Sequence, residues 1–304
     1  PNPRIQRFSG YDQLNLVNKI RFRPNPYTNL QYSYIHTRTG DAPRYDRLIQ
    51  YRNGQLRFAE WKYGPMIWNL HSLQAQFSKK TALWDEARFT LAGQHYEESR
   101  IDRARNNNNR NIQTETVYAG SLNADLSKAW GGGQLYYGAE LVGNRVLSQG
   151  ERVNIATNVT TTIPSRYPNG STWSSSALYA SYRKNVRPLT TLTGGLRYNF
   201  NTLHATFDTA LFQFPFRETN LRAASLIGNA GWVQRTATNW QFNLNLSTGF
   251  RMPNIDDIGK LFESTPGILT VPNPQLKPEY AWNLEAGFVK KQSGKYRIEA
   301  NLFY

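Results

Sequence analysis

The chain has 304 residues, a formal net charge of +15, no cysteine and a hydrophobic content of 39%. The lack of cysteine excludes a disulfide scaffold, a cysteine-ligated metal centre and a cysteine nucleophile. No stretch approaches the roughly 18 consecutive apolar residues of a membrane-spanning helix. Disorder is a poor explanation of the low hydrophobic content, because aromatic residues make up 13% of the chain.

The excess of basic residues restricts the choice of partners. The chain carries 36 lysines and arginines against 21 aspartates and glutamates. A basic chain with interleaved aromatic residues is compatible with nucleic-acid binding. The arginines, however, are spread over turns and irregular segments and form no single patch or helix face. We therefore predict no binding to nucleic acid and favour a solvated surface that faces anionic partners, such as lipopolysaccharide phosphate or an anionic ligand.

Apolar residues recur at every second position along most of the chain. In one such segment Trp240, Phe242 and Leu244 lie on one face. Gln241 and Asn243 lie on the other. This alternation predicts strands with one apolar and one small polar face. Most predicted strands reach about ten residues, the length that a tilted strand needs to cross a bilayer. About twelve strands are predicted, at residues 11–22, 27–38, 66–78, 85–100, 114–128, 134–146, 173–184, 190–204, 223–234, 239–250, 280–291 and 295–304.

The connections between these strands alternate between short and long. The short ones are residues 23–26, 79–84, 129–133, 185–189, 235–238 and 292–294. The long ones are residues 39–65, 101–113, 147–172, 205–222 and 251–279. Such alternation is typical of outer-membrane barrels, whose short turns face the periplasm and whose long loops face outward. The sequence therefore predicts an all-β fold, a transmembrane antiparallel β-barrel whose apolar face meets lipid. The alternative is a soluble sandwich or propeller, with the same apolar face turned to a dry core.

Charged residues near the predicted outer rim are candidates for ligand binding. Arg100, Arg103 and Arg105 follow the adjacent pair Glu97 and Glu98. These arginines either contact an anionic ligand or form ion pairs within the loop, which are worth little each.

Two further candidates lie in the long connections. Asp256 and Asp257 are adjacent carboxylates, which either coordinate Ca²⁺ with nearby carbonyls or remain solvated loop charge. We favour solvated charge and predict no metal site. Tyr167 is a candidate for stacking on a ligand.

Catalysis and cofactor binding find no support in the sequence. The four histidines, at positions 36, 71, 95 and 204, lack the spacing of metal ligands. Serine, histidine and aspartate are all present, yet no Gly-x-Ser-x-Gly occurs and nothing in the sequence places a triad together. We predict no catalytic residue, no cofactor and no enzymatic activity.

Segments in the last fifth of the chain resemble motifs of a known family. Phe250-Arg251-Met252-Pro253-Asn254 resembles the Phe-Arg-x-Pro-Asn box of TonB-dependent outer-membrane receptors. The segment 271–279 resembles the family's Asn-Pro-x-Leu-Lys-Pro-Glu box, and Asn283-Leu284-Glu285-Ala286-Gly287 resembles the start of its next strand. Order and spacing agree with the family. The matching motif positions are Phe250, Arg251, Pro253, Asn254, Asn273, Pro274, Leu276, Lys277, Pro278 and Glu279.

The resemblance implies a plugged barrel of twenty-two strands in the bacterial outer membrane. Residues 1–304 are then part of the barrel domain and supply about twelve of these strands. On this interpretation the plug domain, its TonB-contacting box and the last strands lie outside the chain.

The resemblance also implies a receptor for TonB-energised uptake of a scarce ligand. Basic loops favour an anionic ligand such as a ferric siderophore. Haem-importing members typically carry a histidine between the two boxes, and residues 255–272 contain none. Arg251 and Asn254 join the candidates for ligand binding. The implied partners are outer-membrane lipid and lipopolysaccharide, TonB through the plug, and a small extracellular ligand. The alternative is a passive porin-like channel or a barrel-borne adhesin without a plug.

Overall fold

A computed structural model describes residues 4, 6–208, 216–259, 262–265, 268–270, 273 and 275–304. In chain order its strands are β1 (Gln13–Asn25), β2 (Thr28–Thr39), β3 (Ala42–Pro43), β4 (Tyr51–Arg52), β5 (Gln55–Leu56), β6 (Phe58–Tyr63), β7 (Met66–Phe77), β8 (Glu86–Ala104), β9 (Asn109–Trp130), β10 (Gly133–Asn154), β11 (Thr160–Thr162), β12 (Ser171–Arg187), β13 (Thr190–Thr206), β14 (Glu218–Arg235), β15 (Trp240–Arg251), β16 (Phe262–Thr265), β17 (Ile268–Thr270), β18 (Glu279–Gln292) and β19 (Tyr296–Phe303). Two short helices are α1 (Tyr45–Leu48) and α2 (Ile255–Gly259). Neither of these helices, nor any other helix in the described ranges, is long and apolar enough to cross a bilayer.

One antiparallel sheet of fifteen strands dominates the described residues. Its main path is β1-β2-β7-β8-β9-β10-β12-β13-β14-β15-β18-β19, in which each strand pairs with the next one of the path. Strands β3, β6 and β11 join the sheet off this path. The twelve strands of the path coincide with the twelve predicted strands, so the all-β antiparallel prediction is confirmed. The sheet is open, with β1 at one edge and β19 at the other.

The register places the apolar residues in continuous rows across the sheet. Leu73 pairs with Leu91, Leu91 with Leu122, and Leu122 with Leu141. All four leucines are exposed. We call this row the leucine ladder and the side of the sheet that carries it the apolar face. Exposed leucines in register are what a sheet presents to lipid rather than to a dry core.

The opposite side, the polar face, carries a hydrogen-bonded lattice. Nη2 of Arg197 lies 2.6 Å from Oε1 of Glu140. Asn123 donates to Oε2 of Glu140 at 3.2 Å, and Arg197 Nε donates to Oδ1 of Asn199 at 2.6 Å. Asn199 in turn donates to Ser225 Oγ at 3.2 Å. The lattice thus links β9, β10, β13 and β14 with groups that suit a wet or plug-filled interior.

The two ends of the sheet differ as predicted, except that two of the long connections are shorter than predicted. At one end the turns are short, and Gly131 and Gly132 take φ values of 57° and 76° in the β9–β10 hairpin. At the other end the predicted 101–113 loop is wrong, because β8 continues to Ala104 and β9 begins at Asn109. This connection therefore shrinks to residues 105–108. Strand β10 likewise continues to Asn154, so the predicted 147–172 connection shrinks to residues 155–170. Polar residues on both faces of these extensions hide the strands from a search for apolar periodicity.

Candidate functional site

The first family motif closes the base of the connection that follows β15. Nη1 of Arg251 lies 3.0 Å from Oε1 of Glu279 on the neighbouring strand. Its Nη2 donates to both carboxylate oxygens of Asp257, at 2.6 and 2.8 Å. The rings of Phe250 and Tyr280 lie 5.3 Å apart on the same two strands. Arg251 and Asp257, both predicted as ligand contacts, are therefore engaged with each other.

Helix α2 begins directly after this motif and is capped by it. The backbone N–H of Asp257 donates to Oδ1 of Asn254 at 3.0 Å, and the backbone N–H of Asn254 donates to Oδ2 of Asp257 at 2.9 Å. This reciprocal pair is a capping box. Ile255 and Ile258 are three positions apart, so they share one side of the helix. Both are buried in one cluster with Leu203 of β13. The predicted ligand contact Asn254 thus sets where α2 starts.

The second motif returns the chain to the sheet. Oδ1 of Asn273 accepts from the backbone N–H of Gln275 at 2.9 Å, which is an Asx turn. Leu276 packs against the buried cluster that holds α2. Pro274 lies outside the described residues. Both motifs therefore hold the two ends of this connection against the sheet.

A buried arginine in the connection after β10 forms ion pairs with strands β8 and β9. Nη1 of Arg166 lies 3.2 Å from Oε2 of Glu115 and 3.4 Å from Oε1 of Glu98. Its guanidinium lies 4.8 Å from the ring centroid of Tyr167, and Nη2 donates to the phenol oxygen at 3.0 Å. The phenol donates to Oδ1 of Asp256 at 2.7 Å. We call Arg166, Tyr167 and Asp256 the loop bridge, because they join two outer connections that are distant in sequence.

The loop bridge changes how Tyr167 is interpreted. The ring is half-buried and packs against the cluster that holds α2. Burial raises the pKa of the Tyr167 phenol to about 12, and the hydrogen bond to Asp256 adds to the rise. The phenol therefore stays protonated at neutral pH and acts as a hydrogen-bond donor. Tyr167 and Asp256, two predicted ligand contacts, are brought together by the fold.

Arg100 lies within β8, which continues four residues beyond the predicted strand end at residue 100. Its guanidinium stacks over Tyr63, 5.3 Å from the ring centroid. Arg44 stacks over the same ring at 5.4 Å. Nη2 of Arg100 also lies 3.7 Å from Oε1 of Glu98. The charge of Arg100 is thus partly neutralised within the protein.

Arg103 shares a carboxylate with a second arginine. Its Nε lies 3.0 Å from Oε1 of Glu60, and Nε of Arg110 lies 2.8 Å from Oε2 of the same carboxylate. The hydrogen bond from Arg110, reinforced by Arg103, lowers the pKa of Glu60. Two guanidiniums on one carboxylate leave one positive charge in excess at this point of the outer rim.

Arg105 lines a surface cavity of about 520 Å³ between the β4–β5 hairpin and the end of β8. The residues that line it are Arg52, Asn53, Gln55, Leu56, Arg57, Phe58, Ala104 and Arg105. We call this cavity the arginine cavity. Three of its lining residues are arginines, and none is an aspartate or a glutamate.

Sequence reasoning missed two of the three arginines of this cavity. Arg52 and Arg57 lie in the predicted 39–65 connection, which also holds Arg44 and Arg47. This density of arginine in one loop was the available signal. The sequence does not show that the loop folds beside Arg105.

The described residues show no metal centre. Among them, no group of three or more histidine, aspartate or glutamate residues is placed to hold a metal ion. Asp256 and Asp257 are instead bound to Tyr167 and Arg251.

Comparison with known families identifies the class of protein. The sequence model of the family described as "TonB dependent receptor-like, beta-barrel" matches residues 2–304. The chain belongs to this family, whose members are outer-membrane receptors and transporters rather than enzymes. A search of curated proteins finds no significant match.

Solved structures with a similar fold are receptors and transporters of several ligands. The copper transporter OprC is 12% identical, with a TM-score of 0.76 over 97% of this chain and 45% of that protein. The Serratia marcescens haemophore receptor HasR is 15% identical, with a TM-score of 0.69 over 96% of this chain and 45% of that protein. The ferric citrate transporter FecA is 13% identical, with a TM-score of 0.68 over 98% of this chain and 43% of that protein. The chain spans just under half of each, and the low identities show the fold alone.

Membership of the family orients the sheet. The apolar face with its leucine ladder faces outer-membrane lipid, and the polar face lines the barrel interior. The short turns mark the periplasmic side and the long connections the cell exterior. The arginine cavity and the loop bridge therefore belong to the exterior side.

Proposed function

We propose that the chain is part of the barrel of an outer-membrane receptor that imports a scarce anionic ligand with energy supplied through TonB. A ferric siderophore or a similar anionic chelate is the favoured class of ligand. TonB acts on a plug domain encoded outside residues 1–304, which form part of the barrel domain. The barrel serves as a rigid frame that presents exterior loops for capture and a polar wall for passage.

The arginine cavity is the observation that carries this proposal. Arg52, Arg57 and Arg105 converge on one exterior cavity without a lining carboxylate. Guanidinium groups bind carboxylate and other oxyanions through paired hydrogen bonds, which suits the oxygen-rich rim of an iron chelate. The lining contains no histidine, so the cavity offers no axial ligand of the kind that haem iron takes.

The other candidate arginines at the exterior side have a structural role that differs from the role of the cavity arginines. Arg103 and Arg251 are bound to carboxylates, and Arg100 stacks on Tyr63 beside Glu98. They maintain the shape of the loops, whereas no arginine of the cavity forms an ion pair with a residue that the structure describes. Arg57 stacks on Phe58, 4.8 Å from the ring centroid, and its charge also acts on Asp102. The net positive field of the cavity attracts anions from a distance and raises their rate of capture.

Uptake by the full-length receptor in its own outer membrane tests the proposal. The probes are ⁵⁵Fe bound to an anionic tris-catecholate and ⁵⁵Fe bound to a neutral trihydroxamate. We expect uptake of the anionic chelate that disappears in cells without TonB. The triple variant Arg52→Ala, Arg57→Ala, Arg105→Ala should raise the half-saturating concentration about tenfold, the effect of losing one charge-assisted hydrogen bond.

A matched variant controls for general loss of positive charge. The triple variant Arg23→Ala, Arg183→Ala, Arg187→Ala removes three exposed arginines at the periplasmic ends of β1 and β12 and should leave uptake unchanged. Uptake that persists without TonB would identify a passive channel. TonB-dependent uptake that is indifferent to the triple variant of the cavity arginines would show that the ligand binds elsewhere.

A further inference from the structure

Three of the four histidines lie together on the face that meets lipid. His36 of β2 and His95 of β8 both pair with Asn69 of β7. His71 is two positions from Asn69 on the same face, and Leu73 of the leucine ladder follows two positions later. We call His36, Asn69, His71 and His95 the histidine patch. Ionisable residues that face lipid are rare and are commonly functional.

Asn69 holds two of the imidazoles in place. Its Oδ1 accepts from His36 Nδ1 at 2.8 Å and from the phenol of Tyr34 at 3.2 Å. Its Nδ2 lies 3.5 Å from Nδ1 of His95 and donates toward it. Because Nδ1 of His95 accepts, the neutral ring carries its proton on Nε2. Because Nδ1 of His36 donates, Nε2 of the neutral ring is an acceptor.

His71 is held by tyrosines in a similar way. Its Nδ1 lies 2.8 Å from the phenol oxygen of Tyr32, and its ring centroid lies 4.7 Å from that of Tyr34. A phenol that donates to Nδ1 leaves the proton of the neutral ring on Nε2. No hydrogen bond to Nε2 of His36, His71 or His95 is found within the described ranges. The patch thus offers two hydrogen-bond donors, Nε2 of His71 and Nε2 of His95, and one acceptor, Nε2 of His36.

Two arginines flank the patch on the same face. Arg38 lies two positions beyond His36, and Arg145 pairs with Tyr118, whose ring lies 5.1 Å from that of His95. Both arginines are exposed, and neither forms a hydrogen bond or an ion pair with a residue that the structure describes. Glu97 is the carboxylate nearest along β8 on this face. The charged side chains that flank the patch therefore sum to a positive value.

The depth of the patch matches the outer headgroup region. His36 lies nine residues along its strand from Tyr27 of the periplasmic turn, His95 lies ten from Asp85, and His71 lies seven from Ser78. A tilted strand climbs roughly 2.5 Å per residue, so the three imidazoles lie roughly 17–25 Å above the turns. The apolar band of an outer-membrane barrel is about 25 Å tall. The leucine ladder lies below the patch, at the level of the acyl chains.

We propose that the histidine patch, with Arg38 and Arg145, binds the phosphorylated sugar headgroup of an outer-leaflet glycolipid. Phosphate oxygens accept from Nε2 of His71 and His95 and pair with the flanking guanidiniums. A sugar hydroxyl donates to Nε2 of His36. The acyl chains lie along the leucine ladder. An apolar surface of a neighbouring protein would leave these polar groups without partners at a considerable cost.

Lipid retention by the full-length protein tests this site. The protein is reconstituted in phosphatidylcholine nanodiscs with equal amounts of lipid A and phosphatidylglycerol, and bound lipid is measured after detergent extraction by native mass spectrometry. We expect preferential retention of lipid A by the wild type. The variants His71→Gln with His95→Gln, and Arg38→Gln with Arg145→Gln, should each lower that retention about tenfold, as expected for the loss of a charge-assisted hydrogen bond.

His204→Gln is the matched control, because His204 of β13 lies on the apolar face of the sheet but outside the histidine patch. Its Nδ1 is hydrogen-bonded to Asn220. It should retain lipid A as the wild type does. The arginine pair has no internal partner to lose, so this variant remains informative if the histidine pair fails to fold. Equal retention of lipid A and phosphatidylglycerol by the wild type would overturn the proposal, as would undiminished retention by the arginine variant. Uptake of the ⁵⁵Fe probes should be unchanged in these variants, which separates this site from the arginine cavity.

Discussion

The phenol of Tyr167 donates a 2.7 Å hydrogen bond to Oδ1 of Asp256 and so joins the connection after β10 to helix α2. The two residues are 89 positions apart in sequence. Arg166 completes the loop bridge by stacking under the tyrosine while its charge is bound to Glu115. Two exterior connections of the barrel are therefore held together as one unit.

Tyr167→Phe should loosen this unit without disturbing the packing of the ring. The variant loses a hydrogen bond to a charged acceptor, which is worth about 1.5–3 kcal/mol. We expect faster amide hydrogen exchange in residues 155–170 and 252–259 of the full-length protein. Tyr182→Phe is the control, because its phenol donates to Trp130 O at the periplasmic end. Unchanged exchange in both exterior segments would show that the bridge contributes nothing to their stability.

Alkaline pH should open the same loops. The folded-state pKa of Tyr167, about 12, lies above the ordinary value of 10.0, so the folded protein holds this proton more tightly than the unfolded chain does. The stabilising contribution is complete below pH 10 and is lost as the pH rises through 12. We expect exchange in residues 155–170 to accelerate over this interval in the wild type. In Tyr167→Phe, exchange should accelerate only as base catalysis of amide exchange itself requires. A larger acceleration in this variant would show that groups other than Tyr167 open the loops.

Arg251→Lys should weaken the base of the connection after β15. Lysine keeps the charge but cannot bind Asp257 and Glu279 at once with a planar fork. Both ion pairs are exposed, so we expect a loss of only about 0.5–1 kcal/mol in the free energy of unfolding. Arg297→Lys is the control, since Arg297 makes one exposed pair with Glu299 at 2.6 Å. Equal denaturation midpoints for the two variants would show that Arg251 stabilises the protein no more than an arginine with a single surface ion pair does.

Leu244→Arg and Asn243→Arg test which side of β15 faces lipid. Leu244 is exposed on the apolar face, and Asn243 is its neighbour on the polar face. Arginine at a lipid-facing site near the bilayer midplane costs about 2–4 kcal/mol, whereas arginine in a wet interior costs much less. Refolding of the full-length protein into lipid vesicles measures both values. A larger loss for Asn243→Arg would reverse the orientation of the sheet.

Local pattern was sufficient to predict the strands. Side chains alternate between the two faces of a strand with a period of two. Consecutive residues such as Asn243 and Leu244 therefore show both the strand and which residue belongs to which face. Turn chemistry is equally local, as Gly131 and Gly132 show with their positive φ values. The strand extensions near Ala104 and Asn109 escaped prediction because they rise beyond the lipid, where no apolar face is required.

The sequence by itself therefore determined the strands, their order, their two faces and the family to which the chain belongs. The tertiary structure alone decided which charges are bound and which remain available. Glu60 pairs with Arg110, which is 50 residues away in sequence. Arg52 and Arg105 line the same cavity only because their loops fold side by side. The histidine patch depends in the same way on the pairing of three strands. Such partners are set by the pairing and register of distant strands, and a contact of this kind leaves no periodic trace along the chain.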